Sequence, residues 1–185
     1  MSRVTRRMTD RRPATVIDAS VAIAIVRREP MAAAVGYTMR SPEVSGGRIL
    51  VPDPFWIEVT NVLIRRYRAT PEEALEALRE VDDIGVESVR VDRALLLVGI
   101  EMQHAYGLAA YDAAYVALAQ VEDAKLLTLD ARLATAAGER AIEIDGWPRR
   151  LSEEAAPHGR EPVDWARFGP YLARLRAEAR DAAAG

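Results

Sequence analysis

Short β-branched runs alternate with helical segments along most of this chain, and that alternation narrows the fold more than any other feature. "ATVID" (14–18) reads as a buried strand. "SVAIAIVRRE" follows with helical character, with Ser20 placed to cap it. "RILVP" (48–52) is a second strand, and "PFWIEVTNVLIRRYR" after it carries Phe55, Val59, Val62 and Leu63 at helical spacing. "TPEE" (70–73) has three helix-start signals: Thr70 as cap, Pro71 at the first position and Glu73 completing a capping box. That helix is expected to reach about Asp83. "VESVRV" (86–91) alternates as a strand, and Asp92 caps "RALLLVGIEMQHAYG", which Gly107 ends. A further helix covers "YDAAYVALAQ" (111–120). "KLLTLD" (125–130) is a strand, "ARLATAAG" a short helix closed by Gly138, and "AIEI" a last strand. Strands separated by helices imply an α/β fold, with a mostly parallel sheet covered on both faces.

Half of the 185 residues are hydrophobic, enough for one domain with a substantial core plus an appendage. Three segments are expected: a basic, flexible arm (1–13), the α/β domain (14–145) and a partly helical extension (146–185). No apolar run approaches the roughly 20 residues of a membrane span. "MSRVTRRMTDRRP" has no hydrophobic stretch after it and is not a secretory signal. The absence of cysteine rules out disulfides and thiolate metal sites and fits the cytoplasm. A net charge of −3 argues against a general nucleic-acid binder. Its distribution is uneven, however. Arginines cluster in the arm (Arg3, Arg6, Arg7, Arg11, Arg12) and in "RRYR" at 65–68, and arginine forks onto phosphate.

One letter is out of place in "YDAAYVALAQ". Burying an unpaired carboxylate costs several kcal/mol, so Asp112 needs a reason. The plain one is that Asp112 is the third residue of a helix capped at Ala109, where an acid complements the helix dipole by about 0.3–1 kcal/mol. Three other acids also fall at the ends of elements. Asp18 closes the first strand, Asp130 closes "KLLTLD", and Glu58 sits one turn into the helix after the second strand. Each has its own plain reading as a cap or a solvent-facing side chain. Ligands of open parallel sheets sit at the carboxyl ends of the strands, where these acids would gather. Four carboxylates in one place repel, and a divalent cation relieves the repulsion. With no cysteine and only His104 and His158, the donor set suits Mg²⁺ or Mn²⁺ rather than zinc.

"VIDASV" (16–21), "FWIEVTNVL" (55–63), "YGLAAYDAAYVALA" (106–119) and "LLTLDARLA" (126–134) together resemble a PIN-domain ribonuclease, nearest to the VapC toxins of VapBC toxin–antitoxin modules. The resemblance covers about residues 14–145. It implies a three-layer fold with a central five-stranded sheet in the order 3-2-1-4-5. It also implies a divalent-metal site made by Asp18, Glu58, Asp112 and Asp130, supported by Ser20 and Thr128. A homodimer and an antitoxin that blocks the site are implied as well. The family often has Ser or Thr where this chain has Ala109, which deprives that helix of a favourable cap.

The chemistry expected is hydrolysis of an RNA phosphodiester. Asp18 and Asp112 would hold the metal, Glu58 would orient the attacking water or a second ion, and Asp130 would complete the shell. Arg65, Arg66 and Arg68 are candidates for steering the RNA backbone. A receiver-like signalling domain also gathers acids around Mg²⁺, but it needs a lysine at a late strand end; the sole lysine, Lys125, begins its strand. A PIN-like binding module without catalysis would not need all four acids.

Overall fold

The computed structural model describes residues 12–147. Most of the basic arm and nearly all of the 146–185 extension lie outside the described residues. Four parallel strands form the sheet: β1 (Ala14–Ile17), β2 (Arg48–Pro52), β3 (Val86–Val89) and β4 (Lys125–Leu127), in the order β3-β2-β1-β4. Val16 is paired with Leu50 on one side and Leu126 on the other. β1 is buried along its whole length, which is why "ATVID" is a β-branched run. β3 forms the edge, with Glu87 and Ser88 exposed.

The helices are α1 (Ala19–Val26), α2 (Ala32–Met39), α3 (Pro42–Ser45), α4 (Pro54–Arg65), α5 (Pro71–Asp82), α6 (Arg93–Tyr106), α7 (Ala110–Val121) and α8 (Ala131–Ala137). Crossovers between parallel strands are right-handed. The two steps outward, β1 to β2 to β3, therefore put α1, α4 and α5 on one face, and these helices pack on one another. The return from β3 to β4 carries α6 and α7 across the other face, where α7 packs on β1, β2, β4, α6 and α8. α7 is the core helix: Ala113 through Ala119 are all buried. Phe55, Val59 and Leu63 of α4 are buried at the expected spacing, and Val62 is partly buried. Each fully buried large aliphatic side chain contributes roughly 1.5–3 kcal/mol.

The Thr70 capping box forms with both of its hydrogen bonds, and Asp92 caps α6 through the Leu95 amide at 2.8 Å. Gly107 ends α6 in the left-handed region, at φ 62°, where a side chain would be strained. Three details differ from the sequence reading. The helix after β1 starts at Ala19, so its cap is Asp18 and Ser20 lies inside the first turn. α2 and α3 occupy the 32–45 stretch, for which no element was expected. "AIEI" adds beside β4, the expected fifth place, through one parallel bridge between Ala141 and Leu126. Arg140 precedes this bridge. Its guanidinium holds Gln120, the Ala124 carbonyl and Asp123, tying the chain to the end of α7 just before the bridge.

Candidate active site

β1 and β4 are neighbours, but the chain leaves them in opposite directions, β1 into α1 toward β2 and β4 into α8. Their carboxyl ends are the switch point of the sheet, where such folds bind ligands. Asp18 follows β1 and is buried, 4% exposed. Its Oδ1 accepts from the Ser20 hydroxyl at 2.7 Å and the Val21 amide at 3.3 Å, and its Oδ2 accepts from the Thr128 hydroxyl at 2.9 Å. Thr128 in turn accepts from the Asp130 amide at 2.8 Å, and Ser20 accepts from the Leu129 amide at 2.9 Å. Two hydroxyls thus lace the ends of β1 and β4 together around one carboxylate.

Asp130 is the cap of α8, its Oδ1 accepting from the amides of Arg132 at 2.7 Å and Leu133 at 3.2 Å. Asp112 is the third residue of α7 and is half-buried. The Ala109 amide stabilises its carboxylate, although Ala109 itself supplies no side-chain cap. Glu58 reaches in from α4, and its Oε2 accepts from the Tyr115 hydroxyl at 2.7 Å. Three of the four sit at helix starts, where backbone amides hold a carboxylate in place.

The electrostatics link all four acids. Burial raises the Asp18 carboxyl to about 7 against hydrogen bonds that lower it, with Glu58 adding repulsion. Glu58 is raised first by burial and then by Asp112 and Asp130, while Tyr115 pulls it down. Asp112 is raised by burial and by Asp130, and Arg132 opposes the shift. Tyr115 is pushed far above the ordinary phenol range by burial and by Glu58, so it remains a hydrogen-bond donor. Glu58 is the hub, coupled to Asp18, Asp112 and Asp130.

Tyr115 escaped the sequence reading because its partner lies 57 residues away. The available signal was one polar-tipped ring in a helix otherwise made of small and aliphatic residues. Arg65, Arg66 and Arg68 are exposed and lie at the far end of α4 from Glu58. Arg66 lies over the Tyr67 ring at 5.2 Å, as Arg27 does at 4.8 Å, and contacts Glu29 at 3.8 Å. Among the described residues no ion pair joins this cluster to the four acids.

The family model of the PIN domain matches residues 15–139, a span containing all four acids. The chain belongs to the PIN-domain family. Three solved structures are similar to this PIN domain. A toxin–antitoxin complex from Klebsiella pneumoniae matches with a TM-score of 0.53 at 16% identity, covering 70% of this chain and 96% of the other. VapC20 from Mycobacterium tuberculosis, a sarcin–ricin loop cleaving toxin, gives 0.53 at 15%, covering 66% and 94%. PAE2754 from Pyrobaculum aerophilum gives 0.50 at 19%, covering 70% and 83%. These likenesses establish the shared fold. No curated protein matches the sequence.

Proposed function

We propose that this PIN domain is a Mg²⁺-dependent endoribonuclease, the toxin of a type II toxin–antitoxin module. The observation that carries the reading is the convergence of Asp18, Glu58, Asp112 and Asp130 at the sheet's switch point, with the carboxyls of Asp18, Glu58 and Asp112 all raised. Such a set is poorly stable with all its charges and no counterion, and a divalent cation removes the conflict. Among the described residues no three His, Asp or Glu side chains stand close enough to form an all-protein metal cage. Mg²⁺ needs none, since it keeps several waters and takes one or two carboxylates directly. The oxygen-only donors therefore fit Mg²⁺, with Mn²⁺ as a substitute.

Asp18 and Asp112 would hold the ion, directly or through water, and Asp130 would act on its shell through coordinated water. When bound, the ion would supply Lewis acidity at a phosphoryl oxygen and acidify a coordinated water. Glu58 orients the attacking water, and Tyr115 fixes the Glu58 carboxylate by its hydrogen bond at 2.7 Å. Ser20 and Thr128 aim Asp18, so the ligand is preorganised rather than gathered on binding. RNA phosphodiesters are the substrate. Arg65, Arg66 and Arg68, at the end of α4, steer the RNA backbone by electrostatic attraction.

The fold's likeness to a toxin–antitoxin complex and to a loop-cleaving toxin supports the module assignment. Leu96, Leu97 and Ile100 of α6 and Ile57 and Ile64 of α4 are exposed apolar side chains suited to a homodimer contact and an antitoxin. Among the described residues no helix is long and apolar enough to cross a membrane.

The test is incubation of the purified full chain, free of antitoxin, with total RNA in chelator, Mg²⁺ or Mn²⁺. Discrete cleavage that needs the metal is the expected result. RNA left intact in all three conditions would overturn the enzyme reading.

A further inference from the structure

Arg132 is a charged group at the mouth of the site that the reading above leaves unused. It is the second residue of α8, two after Asp130, and its own amide donates to the Asp130 carboxylate at 2.7 Å. Its side chain runs outward from there, and Nη2 donates to the Gly107 carbonyl at 2.7 Å. Gly107 closes α6 and lies two residues before Ala109, the cap of α7. The guanidinium therefore spans from the start of α8 to the start of α7, which is also the span from Asp130 to Asp112. The Asp112 carboxylate senses its positive charge, whereas no cation offsets the raised values of Asp18 or Glu58.

Two features separate Arg132 from a simple strap. The side chain is exposed, and the ion pairs among the described residues lie elsewhere, so among these residues its charge acts on Asp112 only, at longer range than an ion pair. A guanidinium also carries five N–H donors in a planar fork, and the Gly107 carbonyl takes one. An exposed cation that spends one donor among the described residues, anchored at the edge of a carboxylate cluster, matches a tetrahedral anion that must be drawn to acids that would otherwise repel it.

We propose that Arg132 binds the phosphate of the phosphodiester presented to the four acids, its open donors taking the nonbridging oxygens while Gly107 holds the side chain across the site. This rests on RNA being the substrate. Arg132 is then a phosphate-positioning residue whose contribution grows as charge develops in the transition state.

The experiment uses the full chain with Arg132→Ala, Arg132→Lys and a control, Arg79→Met, whose exposed arginine pairs with Glu76 remote from the site. Binding of a fluorescent single-stranded RNA oligonucleotide is titrated in Ca²⁺ at several KCl concentrations, and cleavage is followed in Mg²⁺. Loss of one phosphate contact should reduce the slope of log affinity against log salt by about 0.7. Arg132→Ala should also lower kcat/KM about 10²-fold, mainly in kcat. Added guanidinium ion should restore part of that rate. Arg132→Lys, which keeps the charge but loses the fork, should fall between the two, and Arg79→Met should match the wild type. An unchanged salt slope with unchanged cleavage overturns the proposal. So does a slower Arg132→Ala with an unchanged slope and no guanidinium rescue, the mark of a strap that only holds Gly107. A reduced slope in Arg132→Ala, in a protein whose wild type cuts no RNA, would support the phosphate contact and overturn the nuclease reading instead.

Discussion

Asp18→Asn should stabilise the metal-free protein, and it should do so only above acid pH. The Asp18 carboxyl has an ordinary value of 3.8 and stands at about 7 in the fold, chiefly because it is buried. Between those values the folded state keeps a proton that the unfolded chain has released. Stability therefore falls as pH rises through that window, and the full loss is present above the folded value. At 1.36 kcal/mol per pH unit, the shift corresponds to about 4 kcal/mol. Asparagine carries no charge at any pH and escapes this loss. It keeps the Oδ1 acceptor that Ser20 and Val21 use. Its amide would face the Thr128 hydroxyl that now donates to Oδ2, and turning that hydroxyl costs about 1 kcal/mol. The net expectation at pH 8 in chelator is a gain of about 3 kcal/mol, or roughly 6–12 °C in Tm for a domain of this size. At pH 4, where the wild-type carboxyl is largely protonated in the fold, the two proteins should melt together within about 1 kcal/mol. Calorimetric melts in EDTA from pH 4 to 8 measure the difference directly. A variant less stable than wild type at pH 8, or a difference that does not grow with pH, would refute the assignment of Asp18 as a strained site carboxylate.

Asp112→Asn should abolish Mg²⁺-dependent cleavage, leave the metal-free protein at least as stable, and remove most of the stabilisation that Mg²⁺ gives the wild type; paired melts in chelator and in Mg²⁺ read this. A mutant that melts lower in chelator yet gains as much from Mg²⁺ would mark Asp112 as a first-turn acid alone, worth about 0.3–1 kcal/mol to α7. Tyr115→Phe keeps the buried ring but leaves Glu58 without its donor. Steady-state kinetics should show kcat down by about tenfold with KM for RNA unchanged, and urea melts a loss of about 1–2 kcal/mol. Thr128→Val removes the hydroxyl that joins Asp18 to the Asp130 amide, and should lower both the melting temperature in chelator, by about 1–3 kcal/mol of stability, and the apparent Mg²⁺ affinity in thermal-shift titrations.

Much of this architecture was legible because local chemistry and tertiary placement agree. The β-branched run before Asp18 becomes the fully buried central strand, and the Thr70, Asp92 and Gly107 signals end or begin helices where they stand. The acids were legible for a related reason. Asp18, Asp112 and Asp130 each satisfy a helix-start rule, so local chemistry alone placed them at the starts of α1, α7 and α8. The stretch 32–45 was not legible, because Met31, at the cap position of α2, offers no side-chain cap and the alanine-rich turns carry no strong period. The cap was placed two residues late, at Ser20, because Asp18 competes for the same role and takes it by reaching the Val21 amide. Tyr115 and Arg132 depend on contacts to Glu58 and Gly107 that only the folded chain creates, and no local pattern encodes partners so far apart.

The most direct test of the acid site is to locate a cation. Crystals of the full chain grown with Mn²⁺, whose anomalous scattering marks its position, would place the ion unambiguously. The account predicts a strong anomalous peak at the carboxyl ends of β1 and β4, within coordination distance of the Asp18 or Asp112 carboxylate, directly or through one water, and lost in Asp112→Asn. A saturating Mn²⁺ concentration that leaves that position empty, or a peak held by other residues while the four carboxylates remain unliganded, would contradict it.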